Sequence, residues 1–596
     1  MMQSHRILER IRSGGLKLAT VSGILTTRPG MIEWIDRMVP EVEIITTKSY
    51  QILPNPGYRE PVVLEQEIGC YANAVGLRNP GMAAGIRELS DLRRKRKLRA
   101  LLNVSLSANC VEDFVELVRC FAPVADILEL NFSCPHAADG YGASIGSDPE
   151  IVAEYVRRIR GATPALLFPK LSPNVANIGE IARAAVSAGA DGLCAINTVG
   201  PELFREPSSG KPILSNPNGG KGGKSGQWIK EKAIESVTEI RRAVGPGIPI
   251  IGIGGISSAA DIRRMRRAGA NAVGLGSVFA RVPRQDLIPL YIGALRSDFE
   301  TGKQSAGTFL STEQLMEYRT SRVRAIRSFG ETLRMIILDR ELPASASQYA
   351  FLFLPGAGEK PFSIARCRPA TFLVRRRGPF TDALFRLSAG DRLLIRGPYG
   401  AEMPDSARPK AFIVAGGTGI ALAPLLTQAL LARGKEVTLL FGSSREEDLE
   451  ILSVLDLPSR QAAAADRGRP ARILDILPER LDGPTAEDSC FYNVGPQGFL
   501  ARACRRELAL GAAPSEIYLS LETPSLCGVG LCGSCECGGR LLCKEGTFVS
   551  LQHLEKHGLS PDTFPDSPPE QTHLSPGHLP AVRRSDGRRE APLLRN

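Results

Sequence analysis

Apolar residues in the first half of the chain fall in short runs separated by longer amphipathic stretches. The runs are Leu16–Leu25, Glu43–Ser49, Leu101–Leu106, Ile127–Phe132, Ala165–Leu171, Gly192–Val199, Ile248–Ile256 and Ala272–Phe279. They read as strands, and helical periodicity fills intervals such as Asp148–Arg160, Ile178–Ala188 and Lys230–Val244. Repeated strand–helix units over about 300 residues predict a (β/α)8 barrel. Chemistry in that fold collects where strands end, so polar residues just beyond the runs become the candidates.

Past residue 310 the rhythm changes. A charged stretch near Ser311–Ser328 has helical character and reads as a connector. From Glu331 to about Met403 short strands alternate with turns, which predicts a small β-barrel. An α/β pattern returns at Lys410 with AFIVAGGTGIALAPLL, and a cysteine-rich segment follows. Beyond about Lys556 the chain is rich in Pro, Ser, Arg and His and reads as a mobile tail. The predicted divisions are 1–310, 311–330, 331–408, 409–513, 514–552 and 553–596. No internal repeat is evident.

Composition narrows the class. With 596 residues, 43% hydrophobic and 23% charged, the chain has the balance of a soluble multidomain protein. No apolar run approaches a transmembrane length and Met1–Arg12 lacks a signal-peptide core, so a cytoplasmic location with no membrane partner is expected. The net charge is +11. Its densest cluster, Arg93–Arg99 (RRKRKLR), has no interleaved aromatics and lies in a helix-like stretch. It reads as a solvated face, and no nucleic-acid partner is expected. An electropositive surface also suits anionic substrates and nucleotides.

Of thirteen cysteines, five fall between Cys527 and Cys543. A disulfide framework does not fit a long chain without an export signal, so the cluster points to metal. LCGVGLCGSCECGGRLLCKEG places Cys527, Cys532, Cys535 and Cys543 in C-x4-C-x2-C spacing with a fourth thiol after seven residues. Four thiolates hold a [2Fe–2S] cluster, and this is its plant-type spacing. Gly528, Gly530 and Gly533 allow a tight loop whose N–H groups face the sulfurs. Zinc is the alternative, although zinc motifs usually pair two C-x2-C units or add histidine. Cys537 is a spare thiol.

Gly416-Gly417-Thr418-Gly419 follows the apolar run Ala411–Ala415 and opens a helical stretch, as expected of a turn that admits a pyrophosphate. Lys360-Pro361-Phe362-Ser363 and Gly397-Pro398-Tyr399-Gly400 precede it, and Asn493-Val494-Gly495-Pro496-Gln497-Gly498 follows. Together these resemble the ferredoxin-reductase family, a FAD-binding barrel joined to a nicotinamide (NAD) domain. That family has Arg where Lys360 stands. The order of barrel, nicotinamide domain and cysteine loop resembles the electron-transfer subunit of class 1B dihydroorotate dehydrogenases, across roughly Glu331 to Val549.

The first half resembles the catalytic subunit of the same enzymes. The resemblance is carried by Thr47-Lys48-Ser49, Asn73-Ala74-Val75-Gly76-Leu77-Arg78-Asn79-Pro80-Gly81, Asn131-Phe132-Ser133-Cys134-Pro135 and Asn197-Thr198. Asn offers donor and acceptor together, which suits the alternating N–H and C=O edge of a pyrimidine. The resemblance implies substrate contacts from Lys48, Asn73, Gly76, Leu77, Asn131, His136, Asn197 and Thr198. Cys134 is the candidate base, with FMN as hydride acceptor. Cys70, Cys110, Cys120 and Cys194 read as structural thiols. FMN phosphate is expected at Gly254-Gly255 and Gly276-Ser277, after the last two runs. Lys170 is expected near the electron-rich flavin edge, with Lys48, Asn103 and Asn131 as further flavin contacts. The loop Gly222–Gly226 is expected to close over the cofactor.

The chain thus reads as α/β plus β: an FMN-binding (β/α)8 barrel, a FAD β-barrel, an α/β nicotinamide domain and a [2Fe–2S] loop. The implied activity joins dihydroorotate oxidation to NAD+ reduction, with a homodimer formed through the first barrel. One departure points elsewhere. His136 stands where most dihydroorotate dehydrogenases have Asn, and Cys134-Pro135-His136 with Asn197-Thr198 resembles dihydropyrimidine dehydrogenases acting on uracil and thymine. A third reading is a flavin electron carrier whose barrel no longer turns over pyrimidines.

Overall fold

The computed structural model describes residues 2–132, 145–455, 457, 460–465, 472–481 and 486–560. Each of the eight apolar runs overlaps one strand of a closed parallel barrel: Leu18–Thr20, Val42–Thr46, Leu101–Leu106, Ile127–Asn131, Leu167–Leu171, Leu193–Ala195, Ile250–Ile253 and Ala272–Leu275. Helices cover the outside, so strands such as Leu101–Leu106 are buried at every position and do not alternate. Helix Val111–Phe121 shows the complementary pattern. It buries Phe114, Leu117, Val118 and Phe121 on one face, the i, i+3, i+4, i+7 spacing of a helix docked on a sheet.

A second sheet caps the barrel mouth. Val63–Glu67, Cys70–Asn73, Lys221–Gly226 and Val199–Leu203 pair antiparallel in that order. The expected loop Gly222–Gly226 is therefore a strand. Glycines are depleted in strands, which hid it in the sequence. Here they are required by close packing: a Cβ on Gly222 would sit 3.0 Å from the carbonyl oxygen of Asn73.

The expected helical connector is also a strand. Arg319–Phe329 is the first of six strands in a closed antiparallel barrel, followed by Leu333–Leu338, Tyr349–Leu354, Gly358–Cys367, Ala370–Arg375 and Arg392–Tyr399. Its arginines suggest a helix by propensity. The operative period is two: Ser321 and Val323 point inward while Arg322 and Arg324 face solvent.

The remaining part is a six-stranded sheet in the order Arg460–Ala465, Glu436–Ser443, Lys410–Gly416, Ser489–Val494, Ile517–Ser520, Phe548–Ser550. The first five strands are parallel and the last is antiparallel. Because Ile517–Ser520 and Phe548–Ser550 are neighbours, the cysteine segment between them is an excursion from this sheet, not the separate unit 514–552. Helix Leu551–Lys556, which reaches into the stretch 553–596 expected as tail, buries Leu551 and Leu554. Among the described residues, no helix is long and apolar enough to cross a membrane.

The basic run Arg93–Arg99 is only half a solvated face. Arg93 binds Asp126 at 2.7 Å, Arg96 lies 3.6 Å from Asp36, and Arg99 donates to the carbonyls of Val39 and Val42. Arg94, Lys95 and Lys97 face solvent.

Candidate functional site

A cavity opens at the C-terminal mouth of the parallel barrel. Lys48, Asn73, Gly76, Leu77, Asn131, Asn197 and Thr198 line it together, and so does Lys170. Asn131 ends the strand Ile127–Asn131, and Asn197 lies two residues beyond Leu193–Ala195. Asn73 comes from the capping sheet, not from a barrel strand. Asn197 Nδ2 donates to Asn131 Oδ1 at 3.4 Å, and Asn131 Nδ2 donates to Ser49 Oγ at 3.3 Å. Gly76 and Leu77 are both left-handed, with φ of 74° and 54°. For leucine that conformation costs energy, and it is held by Asn79, whose Nδ2 donates to the carbonyl oxygen of Leu77 at 2.8 Å. Cys134 and His136 lie outside the described residues.

Beneath the cavity runs a buried polar chain. Ser49 Oγ meets Ser105 Oγ at 2.9 Å, Ser105 donates to Glu129 Oε1 at 2.9 Å, and Lys170 Nζ lies 3.8 Å from the same oxygen. Glu129 is 1% exposed and Lys170 6%. The contact with buried Glu129 fixes Lys170 at the cavity floor. Glu129 was not anticipated. Its one signal is an acid inside an apolar strand, ILELN. Cys194 adjoins this pair; burial drives its thiol well above the ordinary range, in keeping with a structural role.

The features expected to hold FMN fit such a group. Gly226, Gly254, Gly255, Gly276 and Ser277 converge at one end of the cavity. A Cβ on Gly226 would meet the Gly69 carbonyl oxygen at 2.1 Å, and one on Gly255 would meet the Gly226 oxygen at 2.7 Å. Side chains are excluded there, so a ligand can approach the backbone closely. Asn103 does not line the cavity; it is fully buried and donates to Thr46 Oγ1 at 3.1 Å. Its Oδ1 is buried and unpartnered among the described residues, an acceptor that a bound N–H would satisfy.

A second cavity, of about 480 Å³, lies at the antiparallel barrel. Lys360, Pro361, Phe362 and Ser363 line it, with Thr418 and Gly419. Lys360 Nζ is 3.1 Å from Glu60 of the first half of the chain. Gly416, Gly417 and Thr418 line a third cavity with Arg445 and Arg502. The run Gly416–Gly419 therefore divides two cavities. It continues into a 3-10 turn, Gly417–Leu422, before helix Ala423–Ala432 begins.

The four cysteines meet. Cys527 hydrogen-bonds Cys532 and Cys543, and Cys543 also reaches Cys535. Gly528, Gly530 and Gly533 all adopt positive φ, and Gly530 N–H donates to Cys543 Sγ at 3.1 Å. Cys537 stands apart on a two-residue strand, its thiol pushed up to about 12 by burial and Glu536. Among the described residues, no group of three or more His, Cys, Asp or Glu is disposed to hold a metal ion. The contacts run Cys532–Cys527–Cys543–Cys535, so the four thiols form one buried chain.

The cysteine loop also forms a wall of the first cavity, where Leu531 and Cys532 face it. Leu25 N–H donates to the Leu531 carbonyl at 3.2 Å, and Thr27 Oγ1 to that of Cys532 at 2.6 Å. Gln285 clamps the same loop, donating to the Gly539 carbonyl at 2.6 Å and accepting from Leu541 N–H at 2.7 Å. On the other side Arg396, 1% exposed, pairs bidentately with Glu359 at 2.9 and 2.6 Å and donates to the Cys527 carbonyl at 2.8 Å. Gln285 and Arg396 were missed, although an arginine inside RLLIRGPY is an unusual choice for a buried strand.

Comparison with known proteins bears on the first half. The family model described as dihydroorotate dehydrogenase matches residues 19–283. The catalytic subunit of dihydroorotate dehydrogenase B (NAD(+)) from Methanothermobacter thermautotrophicus is 40% identical over 233 residues, covering 39% of this chain and 74% of that protein. The subunit of that name from Methanopyrus kandleri is 39% identical over 260 residues, covering 43% and 79%. That from Bacillus pumilus is 39% identical over 236 residues, covering 39% and 73%.

Proposed function

Because the chain belongs to the dihydroorotate dehydrogenase family, we propose that it oxidises dihydroorotate to orotate in the parallel-barrel cavity and passes the electrons to NAD+ within the same chain. It is an oxidoreductase, and the curated relatives are named as NAD(+)-dependent catalytic subunits. In this reading the barrel holds FMN, the four thiols hold a [2Fe–2S] cluster, the second cavity holds FAD and the third holds NAD(H). A catalytic module is thereby fused to its electron-transfer module, and a homodimer forms through the parallel barrel. One observation carries the proposal: Cys532 lines the same cavity as Asn73, Asn131, Asn197 and Lys170.

FMN supplies the hydride acceptor when bound. The chain's own residues do the rest. Asn73, Asn131 and Asn197 present donors and acceptors to the pyrimidine edge, and the Asn131–Asn197 contact restrains both amides. Lys48 meets the substrate carboxylate. Cys134 removes the proton from one ring carbon while the neighbouring carbon gives up its hydride. Lys170, fixed by Glu129, places positive charge where negative charge accumulates.

The test is an anaerobic spectral titration with dihydroorotate and then with dihydrouracil. Bleaching of the flavin by dihydroorotate alone is expected. Bleaching by dihydrouracil alone would move the protein to the dihydropyrimidine dehydrogenase class. Dye reduction by NADH with no response to either pyrimidine would leave only an electron carrier.

A further inference from the structure

Arg78 has no part in the mechanism above, yet it occupies a distinctive position. Val75, Gly76 and Leu77 line the parallel-barrel cavity, whereas Arg78, the next residue, lines the cavity of the antiparallel barrel. One short loop is thus a partition between the two cavities. It is held from behind: Tyr58 N–H donates to the Val75 carbonyl at 3.0 Å, and the Asn55 and Asn79 backbones pair at 2.9 Å.

Of the cations lining the second cavity, Arg59 and Arg377 are exposed and two others are committed to carboxylates. Lys360, at the position where the ferredoxin-reductase resemblance places a flavin-binding arginine, is 3.1 Å from Glu60. Arg375 binds Asp448 at 2.6 Å. Glu359 is closed in its buried pair with Arg396. Arg78 differs, because its Nε is buried with no hydrogen-bond partner among the described residues. A buried guanidinium N–H without an acceptor is costly, and an anion in the cavity would satisfy it.

We propose that Arg78, contributed by the substrate loop of the parallel barrel, binds the phosphates of the flavin dinucleotide in the second cavity. It supplies the cationic contact that Lys360, tied to Glu60, does not. The inference rests on the reading that this cavity takes FAD, and it goes further by making that site a joint product of both barrels. The electron-transfer module then depends on the catalytic barrel for its own flavin.

The test uses the full chain. FMN and FAD released from the purified protein are quantified by chromatography, and FAD affinity is measured by fluorescence quenching on FAD-stripped protein. Arg78→Gln should weaken FAD binding roughly 10- to 100-fold, the range for losing one charge-assisted hydrogen bond. FMN per chain should stay at the parent level. Arg78→Lys should recover part of the affinity. Parent-like FAD affinity in Arg78→Gln overturns the inference and leaves the second-flavin reading standing. A parent protein that neither contains nor takes up FAD overturns both. Loss of FMN together with FAD, unrelieved in Arg78→Lys, assigns Arg78 to the loop's structure and overturns the inference too.

Discussion

Glu507 is fully buried beneath the six-stranded sheet, with one hydrogen bond from Asn493 Nδ2 at 2.9 Å and its other oxygen unpartnered among the described residues. Burial raises its pKa from 4.5 to about 8. The folded chain therefore keeps a proton that the unfolded chain has released across that window. Stability is greatest below pH 4.5 for this group and falls as pH rises, by up to about 1.4 kcal/mol per pH unit, until the folded pKa is passed. Glu507→Gln keeps the acceptor for Asn493 and removes the ionisation. Its melting temperature should exceed the parent's near pH 8 and match it near pH 4.5; equal melting profiles across the range would show that Glu507 does not titrate this way. In the proposed active site, Cys134→Ala should reduce dihydroorotate oxidation by about 10²–10⁴-fold, the usual contribution of a general base, while NADH-driven dye reduction persists. Near-normal turnover would exclude Cys134. His136→Asn should shift the ratio of kcat/KM for dihydroorotate and dihydrouracil, and an unmoved ratio would make His136 structural. The asparagines were legible because polar residues at the ends of apolar runs have few other uses. Glu129 was not, since its role depends on Lys170, which lies 41 residues away in sequence and reaches it only when the barrel closes.

Elements were legible where local pattern and tertiary environment agree. The eight barrel strands are mostly apolar because both faces are covered, and that leaves a plain mark in the sequence. Lys221–Gly226 and Arg319–Phe329 were misread for opposite reasons. In the first, glycines that permit close backbone packing look like a loop; in the second, outward arginines look like a helix. Both are strands because their partners are distant: Cys70–Asn73 for one, Leu333–Leu338 and Arg392–Tyr399 for the other. The gathering of the loop's four thiols could be read from spacing, but its docking could not, since Gln285 is far from it in the chain. Gln285→Ala leaves the Gly539 carbonyl and Leu541 N–H unpaired in a buried interface. Each unpaired group costs about 1–3 kcal/mol. The variant should melt earlier, and hydrogen exchange at the Leu541 amide should accelerate ahead of the barrel strands. Unchanged protection at Leu541 would mean that the loop is held by other contacts.

At the scale of the whole molecule, the cysteine loop is one link between the two barrels. Thr523 and Ser525 line the antiparallel-barrel cavity, and Leu531 and Cys532 line the parallel-barrel cavity. A few residues of chain thus connect the two proposed flavin sites, with the four thiols packed between. Arg396 fastens one end through the Cys527 carbonyl, and Thr27 fastens the other through that of Cys532. On the proposed route a hydride leaves dihydroorotate at one flavin and a hydride reaches NAD+ at the other. The two proposed flavin cavities are lined by different barrels, so a carrier between them would be needed. An iron–sulfur centre moves single electrons, and flavins exchange both one and two. Cys532→Ser should therefore split the enzyme. Dihydroorotate should still reduce a dye at the first flavin and NADH a dye at the second, while dihydroorotate-to-NAD+ transfer collapses. Serine keeps the size of the side chain and leaves the Thr27 contact to the backbone, so the fold and both flavins should survive; flavin content and thermal melting check this directly. If a folded, cluster-free variant with both flavins bound coupled the two half-reactions at near-normal rate, electrons would be crossing by another path, and the closeness of Cys532 to the catalytic cavity would be a matter of packing alone.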